Sequence, residues 1–438
     1  MFRYYLKLGL LSIRSNAALS ALMVAAIGIG IGACMTIVTI YHVMSGNPIP
    51  EKSSSLYVVQ IDNWSPDEPY DEPNEPPPQS TYLDATNLYS KGDEFRQVVS
   101  YKSSRVVQPP DAAELPFEVS SRATTFAFFP MFSVPFQYGS GWDTAADTNQ
   151  ERVVVLTQAL NERLFGGENS VGEQLSLNGE TYRIVGVLNE WLPTPKFYDL
   201  NNNYYEEPEE IYLPFSVAVA GEHDSVGNIN CWKPFEGGYD AFLASECVWV
   251  QTWVELPTRD DKARYEQFLA SYVEEQKTFG RFPRPLNNRL SDVLEWMDIN
   301  HVVDDDVSVL LGLAFLFLIV CLLNTAGLLL AKVMRRTKDI SLRRALGASK
   351  RTLFGQYIIE AGIIGVAGGV LGIAMTWLGL RGIEHIFTGM DFVQRLVVMD
   401  WSMVMLAVVL ALVSAIAAAL YPTWRAANVT PASQLRIQ

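Results

Sequence analysis

The sequence predicts an α-helical membrane protein: four transmembrane helices, with a large α+β, two-lobed extracytoplasmic domain between the first and the second. Three observations predict it. The 438 residues are 49% hydrophobic, yet four windows of 24 or more residues carry at most one charge each, whereas a helix at the surface of a soluble protein needs a polar face. Charge divides at the same windows: residues 45–306 hold 18 Lys+Arg against 43 Asp+Glu, a net −25, and the rest of the chain is +10. Within the acidic block the apolar pattern alternates between strand and helix periods. This composition excludes a disordered chain. An acidic block joined to basic membrane flanks also excludes nucleic acid as partner, since phosphate binding needs the opposite sign.

Residues 1–16, with Arg3, Lys7 and Arg14, form a cytoplasmic N-terminus before helix 1 at residues 17–44. That helix is too long for the apolar region of a signal peptide. Helix 2, residues 306–331, lies in 25 uncharged residues that span roughly 38 Å at ~1.5 Å per residue. Helix 3, residues 354–380, carries the single acid Glu360, and helix 4 covers residues 401–421. The connection at residues 332–353 has eight basic residues against one acid, Asp339, so it reads as cytoplasmic. Residues 381–400 then form a short periplasmic loop and residues 422–438 a cytoplasmic tail. Both termini lie inside, and residues 45–305 lie outside.

Small residues mark where these helices pack. Gly28-x-Gly30-x-Gly32 resembles a dinucleotide fingerprint in spacing alone, because no strand precedes it and no acid follows; Gly28 and Gly32 read as helix-packing positions. In helix 3, Ala361, Gly365 and Gly369, with the offset pair Gly368 and Gly372, let another helix approach within or between subunits.

Along the outside domain, strand patterns occur at residues 55–61, 97–101, 117–123 and 152–156, and a helix at 157–165 stops at Gly166-Gly167. Asn178-Gly179 between two alternating runs predicts a tight hairpin. A strand at 210–214, an inserted lobe at about 216–246, a strand at 247–255 and an amphipathic helix at 258–277 complete the domain. Residues 63–80 hold six prolines and five acids, predicting an extended, mobile acidic loop whose sharper reading is a docking strip for a basic partner. Cys34 and Cys321 fall within spans. Cys231 and Cys247 lie outside and are candidates for a disulfide worth up to ~3 kcal/mol; the alternative is two buried free thiols.

Catalytic motifs do not emerge. There is no Gly-x-x-x-x-Gly-Lys-Ser/Thr loop, so ATP hydrolysis is not expected of this sequence. His42, His223, His301 and His385 lack zinc-ligand spacing, so no metal site is assigned, and no serine sits in a nucleophile elbow. Glu360 reads as a packing or snorkelling residue ahead of a proton-coupling one. The informative segment is residues 332–360. Ile340, Leu342, Ala345 and Leu346 stand among Arg335, Arg336, Arg343 and Arg344, predicting a short amphipathic helix that ends at Gly347. It either rests on anionic headgroups or docks an apolar face into the groove of a cytoplasmic protein.

That segment, RRTKDISLRRALGASKRTL with Gln356, Glu360 and a Gly-rich helix after it, resembles the loop and third helix of the MacB/FtsX-type (type VII) permeases of ABC transporters. Tyr421-Pro422-Thr423-Trp424-Arg425-Ala426-Ala427, then Thr430-Pro431-Ala432 and Leu435-Arg436, resembles the closing motif of that family. The run RVVVLTQALNERLFGGENSVGEQLSLNGETYRIVGVL resembles the MacB periplasmic core domain. The resemblance implies a multi-pass protein of the bacterial inner membrane with its large domain in the periplasm. It implies a second permease copy or a sister permease, and a cytoplasmic ABC ATPase dimer on separate chains that binds ATP and Mg. It also implies a coupling element at Asp339, Ile340, Leu342, Arg343, Arg344, Ala345, Leu346, Gly347 and Ala348. No cofactor is expected in this chain. The implied function is export or extrusion of a hydrophobic, peptide or lipid-linked substrate, with a periplasmic adaptor and outer-membrane duct as candidate partners. The alternatives are an FtsX-like signal transmitter acting on a periplasmic partner and a lipoprotein-releasing permease.

Overall fold

The computed structural model describes residues 2–111, 113–386 and 401–427, which divide into two compact units, residues 1–45 with 303–438 and residues 46–302. The expected periplasmic loop is described only as far as residue 386, and Thr430, Pro431, Ala432, Leu435 and Arg436 of the closing motif lie outside the described residues.

The helical unit begins with α1 (Phe2–Ser15) and α2 (Ala17–Met44). It resumes with α11 (Asp305–Arg335), α12 (Thr337–Ala345), α13 (Lys350–Ile386) and α14 (Trp401–Ala427). Four of these, α2, α11, α13 and α14, are long and apolar enough to cross a membrane. Their packing follows the small residues. A Cβ on Gly28 would meet Leu371 of α13 at 2.8 Å, and one on Gly32 would overlap Met375, so α2 seats directly on α13. Gly368 and Gly372 receive Ile27 and Ile31 in return. Gly365 and Gly369 face the other way, onto Ala415 and Ala411 of α14. These contacts lie within one chain, where close backbone approach replaces the hydrophobic drive that lipid does not supply.

The other unit carries elements β1 (Leu56–Gln60), β2 (Ser80–Thr81), α3 (Tyr82–Lys91), β3 (Arg96–Gln108), β4 (Phe117–Thr124), α4 (Phe128–Met131), β5 (Phe136–Gly139) and α5 (Thr144–Thr148). Then come β6 (Val153–Leu156), α6 (Gln158–Phe165), β7 (Gln174–Leu177), β8 (Glu180–Leu188), β9 (Ile211–Pro214), α7 (Phe215–Ala220), α8 (Tyr239–Leu243), β10 (Val248–Glu255), α9 (Arg259–Thr278), β11 (Arg289–Asp292) and α10 (Val293–Ile299). Strands β11-β1-β10-β3 pair antiparallel, and α9 places Tyr265, Leu269, Tyr272 and Val273 in the core that they share. From β3 the pairing continues through β4, β9, β6, β8 and β7 and back to β3, which closes six strands on themselves. Closure removes exposed edges and encloses Val107, Val154, Leu175, Ile184 and Leu213. The Asn178-Gly179 turn has φ of 49° and 84°, the left-handed pair that a two-residue hairpin needs.

Three expectations concern this unit. A single sheet threads it, with β3 common to its two halves, one closed on itself and one covered by α9. Residues 216–246 add no named strand to that sheet. They supply α8, whose Phe242 stacks on Trp249 at 5.0 Å, and Asn230 and Cys231 return the segment to β10 through a bridge to Val248 and the disulfide to Cys247. The acidic, proline-rich segment is tied to the same unit at two points: Arg284 meets Asp62, just before it, at 3.0 Å and Asn74 within it, and Arg289 pairs with Glu75, one of its five acids.

Candidate coupling site

Helix α12 is short, and its charges suit its ends: Asp339 lies in the first turn and Arg343 and Arg344 in the last, matching the helix dipole. Gly347 follows at φ +100°, a conformation that side chains oppose, so glycine lets the chain turn there. The Ser349 hydroxyl then accepts from the Thr352 N–H at 3.1 Å and opens α13.

The apolar residues of α12 do not share one face, contrary to expectation. Ile340 is buried and packs on Val333 of α11 and on Leu353 and Tyr357 of α13. Leu342 and Leu346 point away and are 61% and 80% exposed, with Ala345 exposed beside them. Residues 340 and 342 are about 200° apart on a helix, which forces this split. Ile340 is therefore an anchor, and the exposed leucines form a separate apolar surface. Asp339 is exposed, Arg343 donates to Gln356 at 3.2 Å, Arg344 and Ala348 are half-buried, and Gly347 is exposed.

Next to this anchor lies a polar cluster. Lys332 of α11 and Glu360 of α13 form an ion pair, 3% and 2% exposed. Ser12 of α1 donates to the Glu360 Oε1 at 2.6 Å, and the Arg336 guanidinium donates to Ser12 at 2.7 Å and to Ser15. Lys332 also reaches Ser20 of α2 at 3.4 Å. One ion pair thus gathers α1, α2, α11 and α13 at the junction with α12. The chain from Lys332 was expected to be a loop, but α11 runs on to Arg335 and carries Lys332 inward. Sequence reasoning missed Lys332, Ser12 and Ser20, and placed Arg336 on the amphipathic segment without its contacts to α1. The available signal was register: Leu318, Cys321, Thr325, Leu329 and Lys332 recur every three or four residues and share the buried stripe of α11.

Four apolar helices, an intervening α/β domain and a short charged helix clamped between two spans define a multi-pass membrane protein with a large extracellular domain. Residues 20–267 match the MacB-like periplasmic core domain, and residues 311–431 match the FtsX-like permease C-terminal region. The chain belongs to the MacB/FtsX-like family of ABC transporter permeases. It is 24% identical to the macrolide export ATP-binding/permease protein MacB of Syntrophobacter fumaroxidans, over 72% of this chain and 47% of that protein. It is 22% identical to the ABC transporter permease YvrN of Bacillus subtilis, over 71% of this chain and 68% of that one. The periplasmic region of MacB from Actinobacillus actinomycetemcomitans aligns with 56% of this chain and 92% of that structure, at 12% identity and a TM-score of 0.36. The chain spans between about a third and a half of the length of several MacB proteins that it matches.

Proposed function

We propose that this chain is the permease of an ABC exporter, in which a cytoplasmic ATPase dimer drives movement of the extracellular domain and so extrudes a hydrophobic, peptide or lipid-linked substrate. The observation that carries the reading is the division of labour on α12. Ile340 fixes the helix to α11 and α13, while Leu342 and Leu346 are left exposed beside Arg343 and Arg344. An anchored helix with a free apolar surface and a basic rim is suited to receive a partner and to pass on its displacement. The Lys332–Glu360 cluster supports the second half of that task, because it ties α1, α2, α11 and α13 together where the push would arrive.

The relatives that match over part of this chain include proteins named for macrolide and pyoverdine export, which supports an export direction. The permease acts with a second copy or a sister subunit, and the nucleotide is bound outside the matched permease regions. Co-purification tests the reading. A P-loop ATPase captured with the wild-type chain and lost on Arg343→Glu/Arg344→Glu supports it, and ATPase association unchanged by that double substitution removes the assigned interface.

A further inference from the structure

The four carboxylates that are fully buried among the described residues of the extracellular unit are matched by cations, whereas Asp147 is half-buried and is not. Asp84 meets Arg281 at 2.7 Å, Asp62 meets Arg284 at 3.0 Å, and Asp199 and Glu209 both meet Arg122. Asp147 is treated differently. Its Oδ1 accepts from Trp142 Nε1 and its Oδ2 from the Phe126 N–H, both at 2.8 Å, and among the described residues no basic side chain pairs with it. Those two bonds fix the carboxylate and leave each oxygen with a further lone pair.

Asp147 also lines a cavity of about 380 Å³, between α3 on one side and α5 and α7 on the other. Tyr82, Tyr89 and Phe215 supply aromatic walls, Thr86 and Ser216 supply hydroxyls, and no Lys, Arg or His contributes to the lining. The volume is that of a small organic ligand. We propose that this cavity binds a small organic ammonium ion, with its charge against Asp147 and its apolar body against Tyr82, Tyr89 and Phe215. Aromatic faces attract cations most strongly where water is displaced, and a fixed carboxylate without a counter-ion adds a direct charge partner. The acid surplus of this unit, 18 Lys+Arg against 40 Asp+Glu over residues 46–302, raises the local concentration of cations. A metal ion fits less well, because it would need several oxygen ligands and a single carboxylate lines the cavity. The inference stands apart from the export reading, since it concerns binding alone.

The test uses the full chain in lipid nanodiscs, with benzyltrimethylammonium as probe and benzyl alcohol as its uncharged counterpart, read by saturation-transfer NMR. The wild type is expected to bind the ammonium saturably, about tenfold more tightly than the alcohol. Asp147→Asn is expected to erase that difference by weakening the ammonium alone. Ala220→Trp, placed at an exposed position of the lining, is expected to weaken both probes. Equal affinity of the wild type for the two probes overturns the proposal. So does ammonium binding that survives Ala220→Trp unchanged, and this second variant decides the matter if Asp147→Asn does not fold.

Discussion

Lys332 and Glu360, 28 residues apart and on different spans, pair inside the helical unit, and Ser12 shares the same carboxylate oxygen. Taking two charges out of water is costly, so such a pair adds little net stability over apolar residues of similar size. Breaking it is another matter, because the remaining charge stays buried. Lys332→Met or Glu360→Leu alone is expected to cost about 3–5 kcal/mol, and the double substitution much less than the sum. Thermal unfolding in detergent gives the double-mutant cycle. Simple additivity of the two single effects would show that the residues do not interact.

Helix α12 should separate docking from stability. Leu342→Asp/Leu346→Asp alters exposed positions, so it is expected to change stability by no more than about 0.5 kcal/mol while abolishing ATPase association. Ile340→Asp places a charge in the contact with Val333 and Leu353 and is expected to lower the melting temperature as well. Equal association of the leucine variant with the ATPase would assign the docking surface elsewhere.

Glycines in the spans sort by what lies opposite them. Gly32→Leu and Gly365→Leu insert side chains against Met375 and Ala415, for an expected loss of about 1–3 kcal/mol or more from overpacking. At Gly362 and Gly327 a Cβ meets nothing within 4 Å, so leucine there is expected to be tolerated. Melting of the four variants in one detergent gives the ranking. A loss at Gly362 equal to that at Gly32 would place α13 in a different rotation.

The parts of this architecture legible in the sequence are those that need no partner to define them. An uncharged window identifies a span by itself, and Asn178-Gly179 identifies a turn through its own backbone requirement. Strand β3 was expected to end at Tyr101 but continues to Gln108 through Lys102, Ser103, Ser104 and Arg105, a polar run with no apolar alternation. Pairing with β4 along its length holds it, and Lys102 finds Glu206. The short strands β2, β5 and β11 exist only through their neighbours and left no local pattern. Lys332 was obscured for a different reason: read along the chain it begins a basic loop, and only helical register and the lone acid Glu360 mark it as an inward residue.

Between pH 6.5 and 4.5 two groups of the extracellular unit should pull stability in opposite directions. Burial, helped by Arg105, lowers the His223 imidazole to about 4, below its ordinary value. As pH falls through 6.5 the unfolded chain takes a proton that the folded chain refuses, so His223 drains stability until pH approaches 4. Burial raises the Asp147 carboxyl to about 6, opposed by the Phe126 and Trp142 hydrogen bonds and aided by Asp143, while Tyr89 faces it from α3. Here the folded chain takes up the proton first, so stability rises as pH falls from 6 towards the ordinary carboxylate range. Glu209 does not enter this window: Arg122 and Lys196 overcome the effect of its burial and hold it well below the usual range, so its contribution is lost only in stronger acid. With the two arms opposed, the wild-type melting temperature should change less from pH 6.5 to 4.5 than that of either single variant. His223→Phe removes one arm and should make stability rise on acidification, whereas Asp147→Asn removes the other and should make it fall. The His223 arm is on the order of 2–3 kcal/mol, about 5 °C in melting temperature for a unit of this size. A wild-type curve that follows the His223→Phe curve throughout would mean that the folded chain binds the His223 proton as readily as the unfolded one.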